Sequence, residues 1–220
     1  VFSGIIGSIS DNNDVVKEPE KVEDVISDQK GFEDEPADTA EDLEENEDDA
    51  AEEEADETSD NIIFPGTYKV GEDMAPGEYL IIPHSGMAYI ESAKDSTGEI
   101  ESIIFNDNLI NGANSYVTLN EGEYFKIEGA DAYSMEVAPK LNPVDGIYRD
   151  GMYKVGQDIP AGEYKVILDS DIGFGYIEVS KDSSHKIESI VTNENIQADT
   201  YITVSDGQYL KLQDAYIKVD

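Results

Sequence analysis

The sequence predicts an all-β protein: two tandem homologous small antiparallel β-sandwich or jelly-roll-like modules after a disordered acidic N-terminal segment. Three observations predict it. The second part of the chain repeats itself block by block. Its apolar residues alternate over short runs separated by turn residues. The composition breaks near Asp60, where a strongly acidic stretch gives way to a tyrosine-rich one.

The repeat comes first, because a missed repeat misassigns the whole fold. Gly66-Thr-Tyr-Lys-Val-Gly-Glu-Asp-Met-Ala-Pro-Gly-Glu-Tyr79 matches Gly151-Met-Tyr-Lys-Val-Gly-Gln-Asp-Ile-Pro-Ala-Gly-Glu-Tyr164 at an offset of 85. Tyr89-Ile-Glu-Ser-Ala-Lys-Asp-Ser96 matches Tyr176-Ile-Glu-Val-Ser-Lys-Asp-Ser183, and Ile100-Glu-Ser-Ile103 matches Ile187-Glu-Ser-Ile190, both at 87. Tyr116-Val-Thr-Leu119 and Glu121-Gly-Glu-Tyr-Phe-Lys-Ile127 match Tyr201-Ile-Thr-Val204 and Asp206-Gly-Gln-Tyr-Leu-Lys-Leu212 at 85 again. Asp131-Ala-Tyr133 pairs with Asp214-Ala-Tyr216 at 83. The modules are placed at 62–139 and 147–220, joined through Pro139-Lys-Leu-Asn-Pro-Val-Asp-Gly146.

In the second module the predicted strands are Tyr153–Val155, Glu163–Leu168, Phe174–Ser180, Lys186–Thr192, Tyr201–Val204, Gln208–Leu212 and Ala215–Val219. Tyr164, Val166 and Leu168 share one face, and Lys165 and Ile167 the other, as period-2 alternation requires. No segment keeps a helical period. Glycine frees φ and proline restricts it, so Gly71, Asp73, Pro76 and Gly77, with their counterparts Gly156, Asp158, Pro160 and Gly162, are read as turn residues. Asp73 and Asp158 suit Asx-turns. Met74-Ala75-Pro76 stands where the second module has Ile159-Pro160-Ala161, so the two turns are expected to differ slightly. A module of about 75 residues without disulfides has a thin core, which makes packing between the modules plausible.

The block Gly-x-Tyr-Lys-Val-Gly-x-Asp-Ile-Pro-Ala-Gly-Glu-Tyr, followed by Asp206-Gly-Gln-Tyr-Leu-Lys-Leu212, resembles tandem β modules of exported or membrane-anchored cell-surface proteins of Gram-positive bacteria, especially Firmicutes. The resemblance spans roughly 62–220, twice over. It implies a β-rich fold and a place in the cell envelope, and no particular chemistry.

Charge narrows the function classes. The chain has 220 residues, 51 Asp+Glu against 14 Lys+Arg, and a net charge of −37. Nucleic acid is excluded as a partner, because phosphate contacts need clustered Lys and Arg. Residues 1–60 hold 24 acidic and 3 basic side chains, a net of −21, and none of the 13 tyrosines. The segment 11–61 is read as a disordered, self-repelling spacer, since Asp38–Asp60 has one large apolar residue, Leu43. Val1–Ser10 is apolar and lacks a starting Met, and is read as the remnant of a membrane anchor or signal segment. Its acidic flank places the spacer and the modules on the outer side. The expected location is the extracellular face of the cell membrane, with secretion as the alternative.

No chemistry-bearing constellation is found. Cysteine is absent, which removes disulfides, thiolate metal sites and cysteine nucleophiles. The two histidines, His84 and His185, occupy non-equivalent positions in turns and are read as surface residues. Asp169-x-Asp171-x-Gly173 lacks the twelfth-position carboxylate of a calcium loop, where Ser180 stands, and is read as a turn. No catalytic residue, metal ligand or cofactor is assigned, and the chain is expected not to be an enzyme; a glycan-active hydrolase is a minor alternative. The suggestive residues are tyrosines, whose rings stack on sugars or anchor peptides. Tyr89 with Tyr176, and Tyr116 with Tyr201, are the candidate binding face because both modules carry them. The expected function is non-catalytic binding of a cell-wall or host glycan, or of an envelope protein. The alternative is a structural accessory role with no small ligand.

Overall fold

The computed structural model describes residues 61–219, which lie in one compact unit. The acidic spacer and the apolar N-terminal segment lie outside the described residues. The fold is all-β. The first module contains β1 (Ile62–Ile63), β2 (Gly66–Lys69), β3 (Gly77–Pro83), β4 (Met87–Ala93), β5 (Ile103–Ile110), β6 (Ser115–Leu119), β7 (Tyr124–Glu128) and β8 (Ala130–Ser134). The second contains β9 (Ile147–Tyr148), β10 (Gly151–Lys154), β11 (Gly162–Leu168), β12 (Gly175–Ser180), β13 (Ile190–Ile196), β14 (Thr200–Val204), β15 (Tyr209–Gln213) and β16 (Ala215–Lys218). Each module is two four-stranded antiparallel sheets, ordered β1-β8-β3-β6 and β2-β7-β4-β5 in the first and in the same sense in the second. That order of eight strands is the jelly roll.

Alternation builds each core. Phe125 and Ile127 of β7, Ile90 of β4, Ile81 of β3 and Leu119 of β6 meet between the first pair of sheets. Leu210 and Leu212 of β15, Ile177 of β12, Val166 of β11 and Ile217 of β16 fill the second. The repeated Gly-x-Tyr has a local cause. Tyr68 donates to the Phe64 carbonyl at 3.0 Å, and Tyr153 to that of Arg149 at 3.0 Å. The ring folds back over the glycine, so a Cβ on Gly66 would lie 2.9 Å from the Tyr68 hydroxyl. Tyr79 and Tyr164 close in the same way onto Ala75 and Pro160.

The turn after β2 and β10 is the same in both modules. The Gly71 N–H reaches the Met74 carbonyl and the Gly156 N–H the Ile159 carbonyl, each at 2.7 Å. Gly71 (φ 93°) and Gly156 (φ 92°) both use left-handed backbone. Asp73 and Asp158 each accept the N–H of the lysine four residues earlier at 2.8 Å. Met74 and Ile159 are buried, while Pro76 and Pro160 are exposed, so the shifted proline does not alter the turn.

Three expectations are corrected. Lys186–Thr192 is not a strand throughout: Ile187–Ser189 is a 3-10 turn that points Ile187 into solvent, and the strand starts at Ile190. Ile147–Tyr148 forms a strand, β9, that no sequence pattern marks, because two residues are too few to show alternation. The Asp-Ala-Tyr match at 83 is coincidental. β3 pairs Ile81 with Ala132, and β11 pairs Val166 with Ile217, which keeps the offset at 85 through the last strand. Gly129 (φ 71°) and Asp214 (φ 51°) then share the same left-handed corner.

Candidate functional site

Two equivalent sheet faces carry the same side chains. On the outward face of β4, β5 and β7, Tyr89 stands beside Glu128 and Asn108, and Glu91 beside Lys126 and Asn106. On the face of β12, β13 and β15, Tyr176 stands beside Gln213 and Asn195, and Glu178 beside Lys211 and Asn193. Tyr89 donates to Glu91 and Tyr176 to Glu178, each at 2.5 Å. The Lys126 ammonium lies 5.5 Å from the centre of the Tyr89 ring, within cation–π range. Burial and the neighbouring carboxylate push both phenols up to about 12, so each is a neutral donor at any physiological pH.

The two faces differ in what covers them. In the second module the face extends through β10, and its β10 and β15 side is occupied by the first module. At the centre of the contact Leu80 of β3 and Tyr116 of β6 pack on Met152 of β10 and Tyr209 of β15; all four are buried. The Tyr116 and Tyr209 rings meet edge to face, 5.7 Å between centres. Around this apolar centre lies a hydrogen-bonded ring. Glu78 accepts from Lys154 at 2.5 Å, from Ser183 at 2.7 Å and from the Tyr209 hydroxyl. The Tyr116 hydroxyl donates to Asp158 at 2.9 Å, and the Thr118 and Ser183 hydroxyls meet at 2.7 Å. Lys211 binds Asp107 of β5 at 2.5 Å. Backbone joins in: the Thr118 N–H reaches the Ser183 carbonyl at 2.9 Å, and the Met152 N–H that of Asn114 at 3.0 Å. Burying polar groups is tolerable here because partners replace the lost water.

His185 completes this contact. It stacks on Phe105 at 4.7 Å, and its Nε2 lies 2.9 Å from the Tyr116 carbonyl. It is therefore an interface residue and not the surface residue expected from its turn. Its counterpart, Gly98, has φ 73°, and His185 takes the same corner at φ 57°. A side chain in left-handed backbone is uncommon, and it persists where its surroundings hold it.

The predicted tyrosines therefore separate. Tyr89 and Tyr176 share one environment, each half-buried and bonded to the glutamate two residues on. Tyr116 is buried between the modules, while Tyr201 at the equivalent position is 63% exposed. What sequence reading missed is the charged half of the contact, Glu78, Lys154, Asp107 and Lys211. Its only signal is that both modules keep Glu78/Glu163, Lys69/Lys154 and Lys126/Lys211 at outward positions.

A groove of about 430 Å³ runs along the linker, lined by Asn114, Leu141, Asn142, Arg149 and Tyr153 among others. Its guanidinium is engaged by Asp169 and lies 5.1 Å from the Tyr216 ring centre, so it is not free to grip an anion. Among the described residues no group of three or more His, Asp or Glu side chains could hold a metal ion. Among them, too, no helix is long and apolar enough to cross a membrane. No protein-family model, curated protein or solved structure matches the chain.

The contact has a pH dependence. Burial lowers His185 below its ordinary 6.5, and the Lys211 charge lowers it further; the Tyr116 carbonyl, Asp107 and Glu178 only partly oppose this. Burial alone would raise Glu78, but the hydrogen bonds from Lys154, Tyr209 and Ser183 outweigh it and hold the carboxyl below the usual range. A histidine kept neutral by folding contributes its full stability above the unfolded pKa and loses it as pH falls below that value. Thermal unfolding is thus expected to shift down between about pH 7.5 and 5.5, and His185→Asn, which tolerates the left-handed corner, should flatten this dependence. Glu78 adds a second loss at more acidic pH. Unchanged melting across that range would contradict this role of His185.

Proposed function

We propose that the chain is a non-catalytic protein of the cell surface, whose modules dock protein partners through the outward sheet face that both of them carry. One observation carries the reading: beside Tyr176 and Glu178 on the second module's sheet face, Lys211 is joined to Asp107 of the first module, and the first module carries the same set, Tyr89, Glu91 and Lys126, with Lys126 paired instead to its own Glu128. A sheet face with alternating charge, amide and phenol suits a flat polypeptide surface, with the rings as anchors and the charges as orienting groups. The envelope location rests on the resemblance of the repeated block and on the acidic N-terminal stretch, which suits a spacer. A glycan is the second reading, favoured by Tyr89 lying beside Glu91, Asn106 and Asn108, which could bond sugar hydroxyls.

The full chain should be tested against peptidoglycan, wall polymers, a glycan panel and surface-protein extract, beside Lys126→Glu and Tyr89→Ala variants. Binding to the protein fraction that Lys126→Glu weakens by about tenfold or more is expected. Saturable glycan binding lost in Tyr89→Ala, with no protein binding, would replace this reading by the carbohydrate one.

A further inference from the structure

The two modules are related head to tail: β3, β6 and the β5 edge of one dock on β10, β15 and the 181–185 loop of the next. A contact of that kind uses two different surfaces, so each end of the pair is left with one surface unused. The second module ends in an open β11/β14/β13 surface, and the first begins with an open β2/β7/β4 surface.

Much of the polar half of the docked contact is present again on these free surfaces, although Gly98 stands for His185 and Glu72 for Gln157. Glu78 with Lys154, Tyr209 and Ser183 becomes Glu163 with Lys69, Tyr124 and Ser96. Tyr116 with Asp158 becomes Tyr201 with Asp73. Thr118 with Ser183 becomes Thr203 with Ser96, and Asp107 with Lys211 becomes Glu194 with Lys126. Glu163, Tyr201, Thr203 and Glu194 are all exposed, as are Asp73 and Ser96. Within the single chain Lys69 and Lys126 rest on Glu72 and Glu128, surface pairs that a stronger partner can displace. In the two ion pairs, Glu163 with Lys69 and Glu194 with Lys126, both acids lie on one end and both lysines on the other, while Asp73 on the lysine end faces the Tyr201 hydroxyl, so the ends are complementary pair by pair.

Of the apolar centre the two tyrosines are kept, as Tyr201 and Tyr124, and the two aliphatic residues are not. Leu80 corresponds to Lys165 and Met152 to Thr67, while Asn114 corresponds to Asp199, which holds Lys165 at 2.8 Å. The free ends are thus more polar than the docked ones, and contact between them lacks the Leu80 and Met152 packing that fastens the modules within one chain.

We infer that the partner of the first module's open face is the second module of another copy of this chain, so that chains join reversibly head to tail, with Glu163 on Lys69 and Thr203 on Ser96. This rests on the protein-docking reading above and names its partner. Association is weaker than docking within the chain, and it is not limited to a dimer by symmetry, since every added copy leaves both surface types available unless a ring closes.

The test is sedimentation of the full chain at about 150 mM salt, where repulsion between the acidic chains is screened beyond about 8 Å. The average mass should rise with concentration. Lys69→Glu and Glu163→Lys should each weaken association by about tenfold or more. An equimolar mixture of the two should recover it, because the lysine introduced on the second module of one variant meets the glutamate introduced on the first module of the other. Thr67→Met with Lys165→Leu should strengthen association beyond the natural chain. A second readout uses the absence of native cysteine: Ser96→Cys with Thr203→Cys should oxidise into a ladder of linked chains. A chain monomeric up to millimolar concentration, or association that neither reversal weakens or the mixture fails to recover, would overturn the inference. If the monomeric chain still binds surface protein through Lys126, only this inference fails; if that binding is absent too, the docking reading fails with it.

Discussion

Replacing Tyr116 by alanine is expected to destabilise the two-module body by about 3–5 kcal/mol, the usual cost of deleting a buried aromatic side chain. The ring is fully buried, packs edge to face on Tyr209, and its hydroxyl satisfies Asp158. Removing it opens a cavity between the modules and leaves the Asp158 carboxylate short of a donor. The same change at Tyr201 should stay within about 0.5 kcal/mol, as for an exposed site. The two residues occupy equivalent positions of the repeat, so the contrast isolates the contribution of the contact from that of the module. Chemical denaturation of the two variants beside the natural chain measures it. Equal losses at both positions would mean that Tyr116 acts within its own jelly roll and not across the contact.

Glu78→Ala is the second large effect expected, about 2–3 kcal/mol. Breaking a wholly buried pair costs about 3–5 kcal/mol, and this pair keeps some access to water. The side chains of Glu78 and Lys154 are 17% and 27% exposed. Truncation removes one carboxylate from three donors at once and leaves the Lys154 ammonium partly buried without its anion. The change lies on the outward side of β3, so the core of the first module is untouched. The expected signature is separation of unfolding into two steps, one for each module, in calorimetry. A single unshifted transition would show that Glu78 does not hold the modules together. Glu163→Ala is the control: Glu163 is exposed, and its loss should leave the stability of a single chain unchanged.

Much of the fold is legible in the sequence because the repeat supplies every pattern twice. The alternation of Val166, of Leu210 and of Leu212 marks the inner face without ambiguity, and glycines at positive φ mark the turns. The failures have local causes. Ile187 and Ile190 look like members of one strand, yet the 3-10 turn between them sends the first outward. The Asp-Ala-Tyr triplet invites a match that strand register forbids, because Ala132 and Ile217 occupy the same inward site with unlike side chains.

The contact between modules is less legible. An outward tyrosine such as Tyr116 reads as a sheet-face or ligand-binding residue whether water or another domain covers it. The residues that distinguish the docked ends from the free ones are single differences between the repeats: Leu80 against Lys165, Met152 against Thr67, His185 against Gly98. Taken as ordinary divergence between two copies, they say nothing. Taken as positions where one copy is apolar or aromatic and the other is not, they mark which surface is covered.

The docking of the two modules is tested most directly by Thr118→Cys with Ser183→Cys, in a chain that has no other cysteine. The native hydroxyls lie 2.7 Å apart, which places the two β-carbons within reach of a disulfide. Mild oxidation is expected to form this bond quantitatively within single chains and to stabilise them by about 4 kcal/mol, as closure of a loop of this length allows. Thiols that remain free, or that link only separate chains, would contradict the docked arrangement on which both the proposed binding face and the head-to-tail association depend.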